Sequence, residues 1–194
     1  FDSISALESL KKNKKWIVDE FRDSWEDRIL VELMASDRNK NIEKKINNLL
    51  SINIIIPKDY ETISYDKEKQ FIWIGDDYPY KWIILYKEKN EAFVSPKLAL
   101  DNVEKKLNSS RTNISLAEAG KRFKVYHDKD ESLKSVSGLY EHTKQLTGGP
   151  FYAFLREDGD STIVMLSMVN NPGKEKLFYL KQFEVIFKSI NNSY

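Results

Sequence analysis

The chain has 194 residues, 41% of them hydrophobic and 31% charged, with 31 Lys and Arg set against 30 Asp and Glu. That length suits one domain, or one domain with a subdomain, and a net charge of +1 supplies no global field for nucleic acid or anionic lipid. The absence of cysteine excludes disulfides, thiol nucleophiles and thiolate metal sites.

The first fifty residues read as a helical arm, and 51–194 as an α+β domain. Leu7, Leu10, Ile17, Phe21, Trp25, Ile29 and Leu33 recur every three or four residues, the stripe of an amphipathic helix. Asn13 is read as a break within it. Ser36 to Lys40 is a polar turn, and Ile42, Ile46, Leu49 and Leu50 line a second, shorter helix. The stripe is already running at Phe1, so the sequence leads one to expect a preceding segment. No apolar run reaches the roughly 18 residues of a membrane span, and no signal peptide stands at the start.

The period then changes. Ile52 to Ile56, ended by Pro57, reads as a buried strand. Glu61–Tyr65, Gln70–Gly75 and Lys81–Lys87 extend it into a meander, with turn chemistry at Asp76 to Pro79. Ser95 and Pro96 supply an N-cap and a first helical position, and Leu100, Val103 and Leu107 give that helix its buried face. Residues 108–121 read as a surface loop. Strands follow at 123–127, Val136–Thr143, Phe151–Arg156 and Thr162–Val169, the last two joined at Asp158-Gly159, a hairpin signal because both central residues tolerate positive φ. Asn171-Pro172 opens a closing helix lined by Leu180, Phe183, Phe187 and Ile190. Strands grouped in runs with hairpin-length connections imply an antiparallel sheet packed by helices, hence the α+β class.

A helical arm leading into Ile54-Ile55-Ile56-Pro57, then Phe71-Ile72-Trp73-Ile74, Gly138-Leu139-Tyr140, Gly148-Gly149-Pro150-Phe151 and a closing helix resembles the uncharacterised Bacteroidota lipoprotein family known as domain of unknown function 4837. The resemblance covers nearly the whole chain. Its most specific element is Gly-Gly-Pro-Phe, about ten residues after a Gly-Leu-aromatic, where Tyr140 replaces the usual Trp. The family implies an outer-membrane or periplasmic envelope lipoprotein whose lipid anchor is absent from this chain, and it implies no activity. The order of elements also resembles PsbP-like accessory domains, a likeness of architecture that says little about function.

No catalytic, cofactor or metal signature emerges. His127 and His142 lie in separate strands, without a His-Glu-x-x-His helix. Gly148-Gly149-Pro150 precedes a strand and lacks the lysine of a P-loop, so it reads as a tight turn. Asp128 to Ser132 starts like a calcium loop but carries Leu133 where glycine is required. Asp158-Gly159-Asp160 belongs to the hairpin, and no Gly-x-Ser-x-Gly occurs. Lys11 to Lys15 beside Trp16 is a basic run cancelled by Asp19, Glu20 and Asp23. Trp82, Ile84 and Tyr86 share a core face, whereas Tyr78 and Tyr80 beside Pro79 stand out as a contact surface. The leading expectation is a non-enzymatic envelope module, without a cofactor and binding a protein partner. The alternative is a hydrolase or small-ligand protein with a cleft on one sheet face.

Overall fold

A computed structural model of the chain describes residues 3–116, 126–127 and 133–190. Two helices, α1 (Ser3–Ala35) and α2 (Lys40–Leu50), precede strands β1 (Glu61–Asp66), β2 (Phe71–Asp76) and β3 (Tyr80–Lys89). A 3₁₀ turn (Asn90–Phe93) leads into α3 (Pro96–Ser109). Strands β4 (Ile114–Leu116), β5 (Tyr126–His127), β6 (Leu133–His142), β7 (Thr147–Asp158) and β8 (Ser161–Asn170) follow, and α4 (Leu177–Lys188) closes the chain. The strands form one antiparallel sheet in the order β1-β2-β3-β8-β7-β6-β4, with β5 also pairing β6. This is the α+β fold expected from the sequence.

Alternation along the strands builds two cores. Ile72, Ile74, Ile83, Leu85, Met165 and Val169 face α2 and α4. Phe71, Trp73, Trp82, Ile84, Leu166 and Met168 face α3. The central strands are buried on both sides, which is why they read as continuous apolar runs. On the first face Phe187 of α4 stacks on Phe154, ring centroids 5.3 Å apart, and Arg156 donates to the Ile190 carbonyl at 2.7 Å. On the second face α3 begins as its sequence requires, the Ser95 hydroxyl accepting from the Leu98 N–H.

Helix α1 runs unbroken through Asn13, contrary to the expected break: the Asn13 amide donates to the Ser9 carbonyl one turn back and leaves the helical ladder intact. The apolar stripe divides in two. Ile29 and Leu33 are buried in the first core, Trp25 packs against it, and Leu7, Leu10 and Phe21 remain exposed. Glu26 fixes the junction by accepting from Lys181 at 3.3 Å and Lys188 at 2.7 Å.

Other local readings change for physical reasons. Ile52–Ile56 is extended and buried, yet it is not a strand. Its backbone is satisfied mostly by side chains: Ile55 N–H donates to the Ser189 hydroxyl, Ile56 N–H to the Glu43 carboxylate, and the Ile52 carbonyl accepts from Asn47. Wedged among helices, it meets no strand to pair with. Within the expected loop, Ile114–Leu116 pairs with β6. The β7–β8 turn sits one residue later than expected, since Asp158 pairs with Ser161 and only Gly159 adopts positive φ (60°). Asn171-Pro172 opens a turn, not a helix: the Asn171 amide donates to the Glu175 carbonyl and α4 starts at Leu177. Residues 123–125 and 128–132 lie outside the described residues.

Among the described residues no helix is long and apolar enough to cross a membrane. Phe187→Ala is expected to cost about 3–5 kcal/mol in urea unfolding, the usual loss for a fully buried Phe, whereas Phe178→Ala, at the more exposed start of α4, stays within about 0.5 kcal/mol.

Candidate functional site

The two groups of residues singled out in the sequence converge at one end of the sheet. Tyr80 opens β3 and pairs with Asn170 at the end of β8. The Asn170 amide in turn donates to the Gly148 carbonyl at the start of β7. Three segments distant in sequence are thus tied together by one strand pair and one side-chain hydrogen bond.

Gly148-Gly149-Pro150-Phe151 is strand, not turn. The four residues pair with Glu141, Tyr140, Leu139 and Gly138 of β6, and neither glycine has a positive φ. The turn lies upstream, at residues 143–146, where Leu146 takes the left-handed conformation (φ 50°). The glycines serve close approach instead. A Cβ on Gly149 would overlap the Val169 carbonyl oxygen, and one on Gly148 would lie 2.7 Å from the Tyr140 carbonyl oxygen. A side chain at either position would push β7 off its neighbours.

This close approach accompanies a strong curl. Four strand spacings separate β2 from β6, about 19 Å across a flat sheet. Yet the rings of Trp73 on β2 and His142 on β6 are 6.4 Å apart. The inner face therefore wraps around an aromatic cluster in which Trp82 contacts Trp73, Tyr140 and His142, with centroids 5.6, 6.0 and 5.6 Å apart. The cluster continues outward, from Trp82 to Tyr80 at 5.6 Å and from Tyr80 to Tyr78 at 6.4 Å. Exposure climbs along this path from 4% at Trp82 to 60% at Tyr78. The Tyr78–Pro79 peptide is cis.

One cation lies beside the outer rings, and another sits on the opposite face of β3. Lys174, from the segment before α4, lies 5.9 Å from the Tyr78 ring centroid. Lys81 pairs with Asp76 at 2.6 Å and lies 5.7 Å from the rings of both Tyr60 and Tyr179. Leu177 and Phe178 are also exposed at the start of α4. A helix opening at Asn171-Pro172 would set these two residues in mid-helix; with α4 beginning at Leu177 they form its first turn.

Inside, the buried Trp73 Nε1, Tyr140 Oη and Thr147 Oγ1 find no hydrogen-bond partner among the described residues. His142 is 5% exposed and its Nδ1 accepts from the Gln145 N–H at 3.0 Å, which places the neutral ring's proton on Nε2. Burial lowers the His142 pKa, and the nearby Lys144 charge lowers it further. Burial raises the Tyr140 hydroxyl out of the physiological range.

The two histidines are not brought together. His127 pairs with Lys134 on β6, eight residues from His142 on the same strand, or about 26 Å. Asp158 is engaged by Lys87 at 2.6 Å, and Lys11 to Lys15 are exposed on α1. Among the described residues no three His, Asp or Glu side chains gather as a metal site.

The pattern described as "Domain of unknown function (DUF4837)" matches residues 39–189. The chain belongs to this family. The matched region holds the whole sheet, α2 to α4 and the aromatic cluster, and leaves α1 outside. No curated protein matches. Among solved structures, a Bacteroides thetaiotaomicron protein aligns at 12% identity with a TM-score of 0.39, over 74% of this chain and 45% of its own. LpqN of Mycobacterium tuberculosis, described as involved in cell envelope biogenesis, aligns at 14% identity with a TM-score of 0.38, over 72% of this chain and 81% of its own. This chain thus covers under half of the Bacteroides protein, and similarity at this level carries no functional argument.

Gly149→Ala should destabilise the family member by about 1–3 kcal/mol, the range for forcing atoms into a filled site, read as a lower denaturant midpoint. His142 yields a pH dependence. Its folded pKa lies below the ordinary value of 6.5, so the unfolded chain binds the proton more readily and stability falls as pH drops below about 6.5. Melting temperature should decline from pH 7.5 to pH 5.5, and His142→Gln should flatten that decline.

Proposed function

We propose that this DUF4837 member is a non-enzymatic binding module of the cell envelope that docks a protein partner through Tyr78, Pro79 and Tyr80. The observation that carries the proposal is the path of aromatic rings from the buried Trp82 to the exposed Tyr78. Exposed tyrosines held on a rigid base offer large contact area with little conformational entropy to lose. Tyr80 is anchored on Trp82 and in the β3–β8 ladder, so the surface is preorganised. Lys174, 5.9 Å from the Tyr78 ring centroid, adds a cation to it.

The envelope placement rests on the family resemblance in the sequence. A hydrolase cleft built on His127 and His142 has less support, because the register sets them far apart on β6 and its neighbour.

A photo-crosslinking residue at position 78, introduced into the native protein and irradiated in intact cells, should yield a discrete adduct with one protein. The same residue at position 105 on α3 should not. Tyr80→Ala should reduce the position-78 adduct at a cost of about 0.5–3 kcal/mol for a partly buried ring packed on Trp82, whereas Tyr80→Phe, which keeps the ring, should retain both the adduct and the melting temperature. Equal crosslinking at both positions, or none at 78, would overturn the assignment.

A further inference from the structure

A second site lies where the end of α3 meets the β6–β7 turn. A pocket of about 450 Å³ opens there, lined by Asn108, Arg111, Asn113, Ser115, Thr143 and Lys144 around the edge of Ile114. No carboxylate lines it. Neither Arg111 nor Lys144 forms an ion pair among the described residues, unlike Lys81, Lys87, Lys106 and Lys134 elsewhere on the sheet and its flank.

The backbone is strained at this spot. Arg111 occupies the position just after the α3 cap with φ 55°, a conformation for which glycine is the usual choice. Asn113 follows at φ 60°, which asparagine tolerates well. Arginine there costs backbone energy that glycine would avoid, and its orientation toward an open pocket gives that cost a use. The C-terminal end of α3 is the partly negative end of its dipole, which the two cations must outweigh, and the carbonyls of Lys106, Leu107 and Asn108 already accept from the N–H groups of Ser110, Thr112 and Arg111. The two walls are also locked together, because Thr143 donates both its N–H and its hydroxyl to the Asn113 carbonyl.

We infer that this pocket binds a phosphate group, with Arg111 and Lys144 neutralising its charge and Asn108, Asn113 and Ser115 supplying neutral hydrogen-bond partners. Arginine presents a fork that matches two phosphate oxygens, and lysine adds a point charge. The same chemistry is carried by free inorganic phosphate and by a phospholipid headgroup.

The test is a titration of the ¹⁵N-labelled chain with inorganic phosphate at constant ionic strength, following the amide signals of Arg111, Ser115 and Thr143. Co-sedimentation with phosphatidylglycerol vesicles, against phosphatidylcholine controls, runs beside it. Saturable shifts at these amides are expected, weakened at least about tenfold in Arg111→Ala/Lys144→Ala, in keeping with loss of charge-assisted bonds. Vesicle binding that phosphate competes away assigns the headgroup as source; phosphate binding without vesicle binding assigns a free phosphate. Arg111→Gly keeps the fold testable: it relieves the backbone, so its melting temperature should match or exceed that of the parent while phosphate binding is weakened. No saturable shift with either ligand, or equal affinity in Arg111→Gly, overturns the inference.

Discussion

The ladder between β3 and β8 is the interaction on which the rest of the molecule depends. Ten residue pairs, from Tyr80 with Asn170 to Lys89 with Ser161, join the early meander to the late one. Both strands are buried on both faces, so every backbone group in them must find its partner within the sheet. Each half would otherwise present a long apolar edge to water. Joined, they present two apolar faces, and the helices sort accordingly: α2 and α4 on one, α3 on the other.

The curl follows from what this ladder carries at its Tyr80–Asn170 end. Gly148 and Gly149 let β7 come close to β8 and β6, and the inner face closes around Trp73, Trp82, Tyr140 and His142. Large rings there fill the volume that the curl encloses, while small residues at the rim permit the curl itself. The same arrangement holds Tyr80 at the sheet's end and leaves Tyr78 exposed just beyond it. The buried cluster and the exposed Tyr78 ring are therefore two ends of one row of rings.

The pocket beside Lys144 shows a different balance. Most of the fold satisfies its local preferences: Ser95 caps α3, Asn39 caps α2, and Gly159 takes the turn position that needs positive φ. Arg111 departs from that consistency, with a long charged side chain where glycine fits better. Such a departure is informative because the neighbouring capping hydrogen bonds are all made, leaving the side chain itself as the reason for the residue.

The sequence by itself determined what depends on near neighbours. The stripe of α1, the faces of α2 and α3, the central strands and the family are legible because period, capping and short motifs are local. Ile52–Ile56 misleads because strand propensity says only that a segment is apolar and extended, and the absence of a pairing partner is a tertiary fact. Gly148 and Gly149 mislead for a similar reason: a glycine chosen for positive φ and one chosen for close approach look identical until the neighbouring strand is in place. Only the tertiary structure decided that Tyr78–Tyr80 and Gly148–Phe151 share one end of the sheet, that His127 and His142 do not meet, and that Arg111 and Lys144 line one pocket. Those relations are set by strand order and curl, which arise from packing across the whole chain rather than from any segment of it.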